Sequence, residues 1–297
     1  MIVKRDKFFS EEEDKKKDNK KDLKSVGVGL GVGVGAWKGL KKLNKSHGKY
    51  VMFEDKKLSK ENEKLLEKLE KVGEEQGTAV YTGTRETMRS GGFYNKGKLR
   101  GPYSYLDKEG CKPGKAGDLI VTSENADVLA HELGHSKYSK KGRAKGVGGA
   151  VGRIAHKTDR LGRSYMGRPG LVNGFLTGMA AGSIEEARKN RGKKENKIIR
   201  HSSWGIPVAA AIPTLVAEGM ASRKGLKILK QSGASKEYLK KSRKNLARAW
   251  GTYATSTAAS AGSGEVGRVA GKRLIKGVHK LEQKEEDKKL NQNKIKK

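Results

Sequence analysis

The chain has 297 residues and sets 66 Lys and Arg against 33 Asp and Glu, a formal charge of +33 with a pI of about 10.1. Only 34% of it is hydrophobic and 33% is charged; the length suits one large or two small domains, but the composition excludes a chain that is core throughout. The single cysteine, Cys111, excludes an intrachain disulfide framework and a cysteine-based zinc finger, so any metal must be held by His and carboxylates.

Residues 1–25 alternate Lys with Asp and Glu and are expected to form a disordered charged tail, because they offer too little apolar surface to offset the entropy of ordering. They lack the apolar h-region of a secretory signal, so Sec-dependent export is not expected. Residues 26–50 make a Gly-rich apolar segment and basic linker. There Val26, Val28, Leu30, Val32 and Val34 alternate with glycines, a pattern that fits a low-complexity linker or a close-packed, membrane-interacting element. Residues 51–275 are expected to form the main domain, and 276–297 a charged C-terminal tail, either mobile or a frayed helix.

Within that domain, Leu58, Leu65, Leu66, Leu69 and Val72 recur at helical spacing and predict an amphipathic helix over 54–75. Residues 77–84 and 118–123 read as strands, with loops and a short hairpin around GPYSYLD between them. A small sheet is therefore expected before residue 124. Ser123 then offers a helix N-cap, with Asp127 favourably placed near the helix start. Beyond it lie three apolar stretches rich in Gly and Ala, 170–182, 204–217 and 246–262. Each is short of the roughly 18 to 20 apolar residues of a membrane span. The connector 183–203 is charged and reads as the turn of an apolar helical hairpin over 170–217. The fold expected is α+β, predominantly helical.

His131-Glu132-Leu133-Gly134-His135 is an HExxH pattern. On a helix, positions i and i+4 share a face, so both imidazoles reach one Zn2+, and Glu132 stands where a general base for the activated water is needed. That combination hydrolyses peptide bonds. A catalytic zinc normally takes a third protein ligand. Tyr138 and Lys141 occupy the positions where a metzincin has Gly and His, which excludes that class. His156, Glu185, Glu186, His201 and Glu218 are the downstream candidates. Glu218 differs from the others in ending an apolar run, where a carboxylate is costly unless paired or coordinated.

Taken together, DLIVTSENADVLAHELGHSKYS, PTLVAEGMASRKGLKIL and GASKEYLKKSRKNLARAWGTYATSTAAS resemble the bacterial neutral zinc metallopeptidases of the YugP type, in matching order over about residues 75–262. More distantly the chain is similar to HtpX-like membrane metallopeptidases. The resemblance implies a zincin-like, gluzincin-like core with a helical hairpin between the zinc-ligand helices, and Glu218, in Glu218-Gly219-Met220-Ala221-Ser222-Arg223, as the third zinc ligand. It also implies membrane helices before the sheet, between HExxH and Glu218, and after. This sequence departs there: the corresponding stretches are shortened, diluted by Gly, or interrupted by Asn173, Pro207, Pro213 and Arg248.

The function expected is a zinc metalloendopeptidase acting on a protein or peptide substrate, membrane-associated or cytoplasmic. His131, His135 and Glu218 hold zinc in that reading and Glu132 is the base. Ser222 is a candidate to orient a ligand, and His156, His201 and Arg223 are candidate oxyanion stabilisers. The rival reading is a basic membrane-associated or virion structural or delivery protein with a vestigial peptidase site. It rests on the +33 charge, which attracts anionic membrane surfaces and gives non-specific nucleic acid contact. Specific nucleic-acid recognition has no aromatic or zinc-finger pattern to support it.

Overall fold

The computed structural model describes residues 56–82, 92–96, 111–139 and 146–295. The tail 1–25, the Gly-rich segment 26–50 and the hairpin around GPYSYLD lie outside the described residues. The order is α1 (Lys56–Glu75), β1 (Ala79–Thr82), β2 (Gly92–Lys96), β3 (Asp118–Thr122), α2 (Ala126–Ser139), α3 (Gly146–Ser164), α4 (Gly167–Asn190), α5 (Lys197–Gln231) and α6 (Lys236–Ile295). The protein is thus predominantly helical with a small sheet, as the sequence pattern predicts. The described residues fold as two compact units, one drawn from residues 56–162 and 212–254, the other from residues 163–211 and 255–295. The expected domain 51–275 is distributed over both.

In the unit that carries HExxH, the sheet order is β1-β3-β2, with β1 parallel and β2 antiparallel to β3. All five residues of the central strand β3 are buried, and its middle, Leu119-Ile120-Val121, is accordingly an apolar run and not an alternation. Leu58, Leu65 and Leu69 of α1 pack with Ile120 of β3, Leu129 and Leu133 of α2, Ile228 and Leu229 of α5 and Tyr238 of α6. Fully burying each such aliphatic side chain contributes roughly 1.5–3 kcal/mol, and this core fixes the back of the helix that carries HExxH. Leu129 supplies the inward face as expected, while Val128 is half-buried.

Helix α2 starts at Ala126, not directly after Ser123. Its first amide is met from another element: Ala126 N–H donates to Asn62 Oδ1 at 2.9 Å, and Val128 N–H donates to the Asp127 carboxylate at 2.9 Å. Asn62 also donates to the Glu124 carbonyl and accepts from the Tyr238 hydroxyl at 2.7 Å. One buried amide thereby ties α1, the entry to α2 and α6 together. Burial, with Asp127 and Glu61 nearby, pushes the Tyr238 phenol up, so it stays a neutral donor.

The other unit holds α4 with residues of α5 and α6. Gly174, Gly178 and Gly182, one turn apart on α4, sit where a Cβ would overlap the α6 backbone at Ser260, Gly264 and Arg268. Such small-residue spacing permits the closest helix packing. The charged connector 183–203 is not a turn throughout: α4 continues to Asn190, and Glu186 is buried. Its charges are accommodated by pairing, since Arg268 donates to Glu185 and Glu265 at 3.1 Å each and Lys272 lies 2.6 Å from Glu185. Large apolar side chains face outward instead, among them Val172, Leu176 and Ile184 of α4 and Ile198, Trp204 and Ile206 of α5.

The apolar stretch 204–217 is carried inside α5, whose 35 residues are long and apolar enough to cross a membrane, a criterion that core helices also meet. At the C-terminus, residues 276–295, expected as a charged tail, continue α6 as helix. Leu, Glu, Gln and Lys are strong helix formers, and Glu285 stands four residues before Lys289. The side chains of 281–292 are exposed.

Candidate metal centre

Three of the residues singled out from the sequence converge. His131 Nε2 lies 3.1 Å from Glu218 Oε2, His135 Nε2 lies 3.4 Å from the same oxygen, and the two ring nitrogens are 3.2 Å apart. The imidazole planes are nearly perpendicular at 89°. All three donor atoms fall within 4.8 Å of one another, a separation one cation can bridge. Two imidazole nitrogens and one carboxylate oxygen also match the donor set of a His2Glu zinc site with its fourth position open.

Glu218 is 3% exposed and His135 6%. Burial alone would push the Glu218 carboxyl up, but His135 and His131 outweigh it and hold its pKa well below the ordinary carboxylate value. The carboxylate is therefore kept anionic in a dry place, the state a metal ligand requires.

Local structure explains the convergence. The two histidines share the face of α2 by their i, i+4 spacing, and α5 approaches that face very closely. A Cβ on Gly134 would overlap the Ala221 carbonyl, and one on Gly225 would stand 2.8 Å from the Ala130 carbonyl. Reciprocal glycines thus let the two backbones touch and bring Glu218 to the imidazoles. Four residues after Glu218, Ser222 Oγ lies 3.1 Å from His131 Nδ1. With Nδ1–H donating to that hydroxyl, Nε2 is the nitrogen left for a metal.

The far side of α2 is anchored by residues that motif reading missed. Thr78 and Tyr94 hydroxyls donate to the buried Asp118 carboxylate at 3.2 Å each, and Ser136, adjacent to His135, donates to it at 3.5 Å. Gly92, which opens β2, sits against Glu132: a Cβ there would lie 3.0 Å from Glu132 Cγ. Glu132 itself is 7% exposed.

Of the other third-ligand candidates, Glu185, Glu186 and His201 are not part of the cluster. Glu185 is committed to Arg268 and Lys272, and Glu186 is buried in the same unit. His201 is exposed and in edge contact with Trp204. His156 lies on α3, and its side chain is outside the described residues. Of the oxyanion candidates, Arg223 is exposed on α5. No protein-family model, no curated protein and no solved structure matches this chain.

Proposed function

We propose that the chain is a zinc-dependent metalloendopeptidase with a zincin-like core of the YugP type that its motifs resemble. The observation that carries this reading is the meeting of His131 Nε2, His135 Nε2 and a Glu218 carboxylate oxygen within 4.8 Å, with Ser222 on His131 Nδ1. Those three residues would hold the ion. When bound, zinc supplies Lewis acidity, which acidifies water and polarises a peptide carbonyl. Glu132 accepts a proton at its carboxylate and passes it to the departing amine. Its burial beside Gly92 keeps that carboxylate away from bulk water. The buried wall of Leu129 and Leu133 holds the helix and both imidazoles at a fixed rotation.

The test is proteolysis of an unfolded protein substrate by wild type and by Glu132→Ala. The variant is expected to keep one zinc per chain and lose activity by about 10²- to 10⁴-fold, the range for removal of a general base. Wild-type activity in the variant would reject the mechanism.

The membrane-associated reading is favoured by a different observation, the outward-facing Val172, Leu176, Ile184, Ile198, Trp204 and Ile206 on a chain of charge +33. It sets a location for the enzyme, with those side chains against an anionic bilayer surface.

A further inference from the structure

A groove of about 990 Å³ runs between α5 and α6 within the unit that holds the metal cluster. The two helices are joined by only residues 232–235 and so lie as antiparallel neighbours. Ser235 opens α6, its amide and hydroxyl both donating to the Glu61 carboxylate at 2.6 and 2.9 Å. The pair is thereby fixed at its turn.

The floor is apolar. Leu226 comes from α5, and Leu239, Leu246 and Trp250 follow one another along one face of α6. Trp250 is 40% exposed, although its indole N–H is satisfied by the Leu215 carbonyl at 2.9 Å. The rim is cationic: Arg223, Lys227 and Lys230 follow α5 at successive turns and Arg243 stands on α6, all four exposed. Among the described residues lining the groove there is no Asp or Glu.

We infer that this groove is a docking site for an acidic amphipathic helix of a partner protein. Apolar side chains of that helix at i, i+3 or i+4, and i+7 would cover the leucine floor, and its flanking carboxylates would meet the cations. The distribution of charge selects this occupant. The cations of α5 are spread over eight residues, about 10 Å of helix, whereas a lipid carries its charge at one end and would leave most of them unmatched. A nucleic acid strand repeats its charge along the groove, but it binds through stacking platforms, and this floor offers one aromatic among leucines.

Ser222 both lines the groove and holds His131 Nδ1, while Glu218 faces Nε2. The groove therefore adjoins the residue that contacts His131, within the same unit as the His131, His135 and Glu218 cluster. The inference does not depend on the peptidase reading, because binding is measured directly on the full-length protein, with and without a chelator.

The probe is a fluorescent 18-residue helical peptide with Leu at heptad spacing and Glu on its flanks. The controls are the same peptide with Ser for Leu, a single-stranded oligonucleotide, and phosphatidylglycerol vesicles. Saturable, salt-sensitive binding is expected, at least tenfold weaker for the Ser peptide and at least tenfold weaker in Lys227→Glu/Arg243→Glu protein of unchanged helicity. Ala247→Trp, at an exposed position on the floor, fills the groove without altering charge and is expected to give the same loss should the charge reversal fail to fold. Equal binding of the Leu and Ser peptides would overturn the inference. So would unchanged binding in the variants, or a response to the variants confined to the oligonucleotide or the vesicles.

Discussion

A single hydroxyl decides which nitrogen of His131 is available. Ser222 stands 3.1 Å from Nδ1, and an imidazole whose Nδ1–H is held donates its lone pair from Nε2, the atom that faces Glu218. Ser222→Ala is expected to weaken zinc binding by about 10- to 100-fold in a chelator competition, and Ser222→Thr to restore most of it; equal affinities would leave Ser222 without a positioning role. The HExxH residues are legible in the sequence because their relation is local, and helical spacing alone places them on one face. Glu218 is legible less directly, from a carboxylate ending an apolar run and from the resemblance. Asn62 is not legible at all. It reads as one polar residue on an amphipathic helix, and its role appears only when Tyr238, 176 residues later, and Ala126 arrive at its side chain. Asp118 escapes for the same reason: its hydroxyl donors come from three separate places, just before β1, on β2 and on α2.

Between elements, the decisive contact is backbone against backbone. Gly134 falls inside the HExxH pattern at a position the pattern leaves open, yet α5 presses against it at Ala221. Gly134→Val is expected to lower thermal stability, by about 1–3 kcal/mol for overpacking, and to lower zinc affinity as well, because α5 can no longer bring Glu218 within reach. Calorimetry and a zinc titration check both, and native affinity in a folded Gly134→Val protein would refute this account of the site's assembly. Sequence periodicity finds α1, β1, β3 and α2 with small shifts at their ends. It misplaces the connector 183–203, because composition counts charges without their partners. Glu185 is acceptable in a packed helix through Arg268 and Lys272, a pairing set by residues more than eighty positions away. The extension of α6 to Ile295 is a case where local propensity outweighs the lack of a core.

For the whole molecule, charge and apolar exposure act together. On the membrane-associated reading, a net +33 would draw the chain to anionic surfaces, with a reach of about 8 Å at physiological salt, and the exposed Val172, Leu176 and Ile198 would add contacts that salt does not screen. Sedimentation with phosphatidylglycerol vesicles is expected to be strong at low salt and only partly reversed at high salt, whereas complete release would assign the binding to charge alone. The central claim is that one zinc is held by His131, His135 and Glu218, and the most direct measurement is zinc content per chain for wild type and Glu218→Ala purified side by side. One zinc in the wild type and a large loss in the variant is the predicted result; equal zinc in both, or none in either after exposure to excess metal, would contradict it.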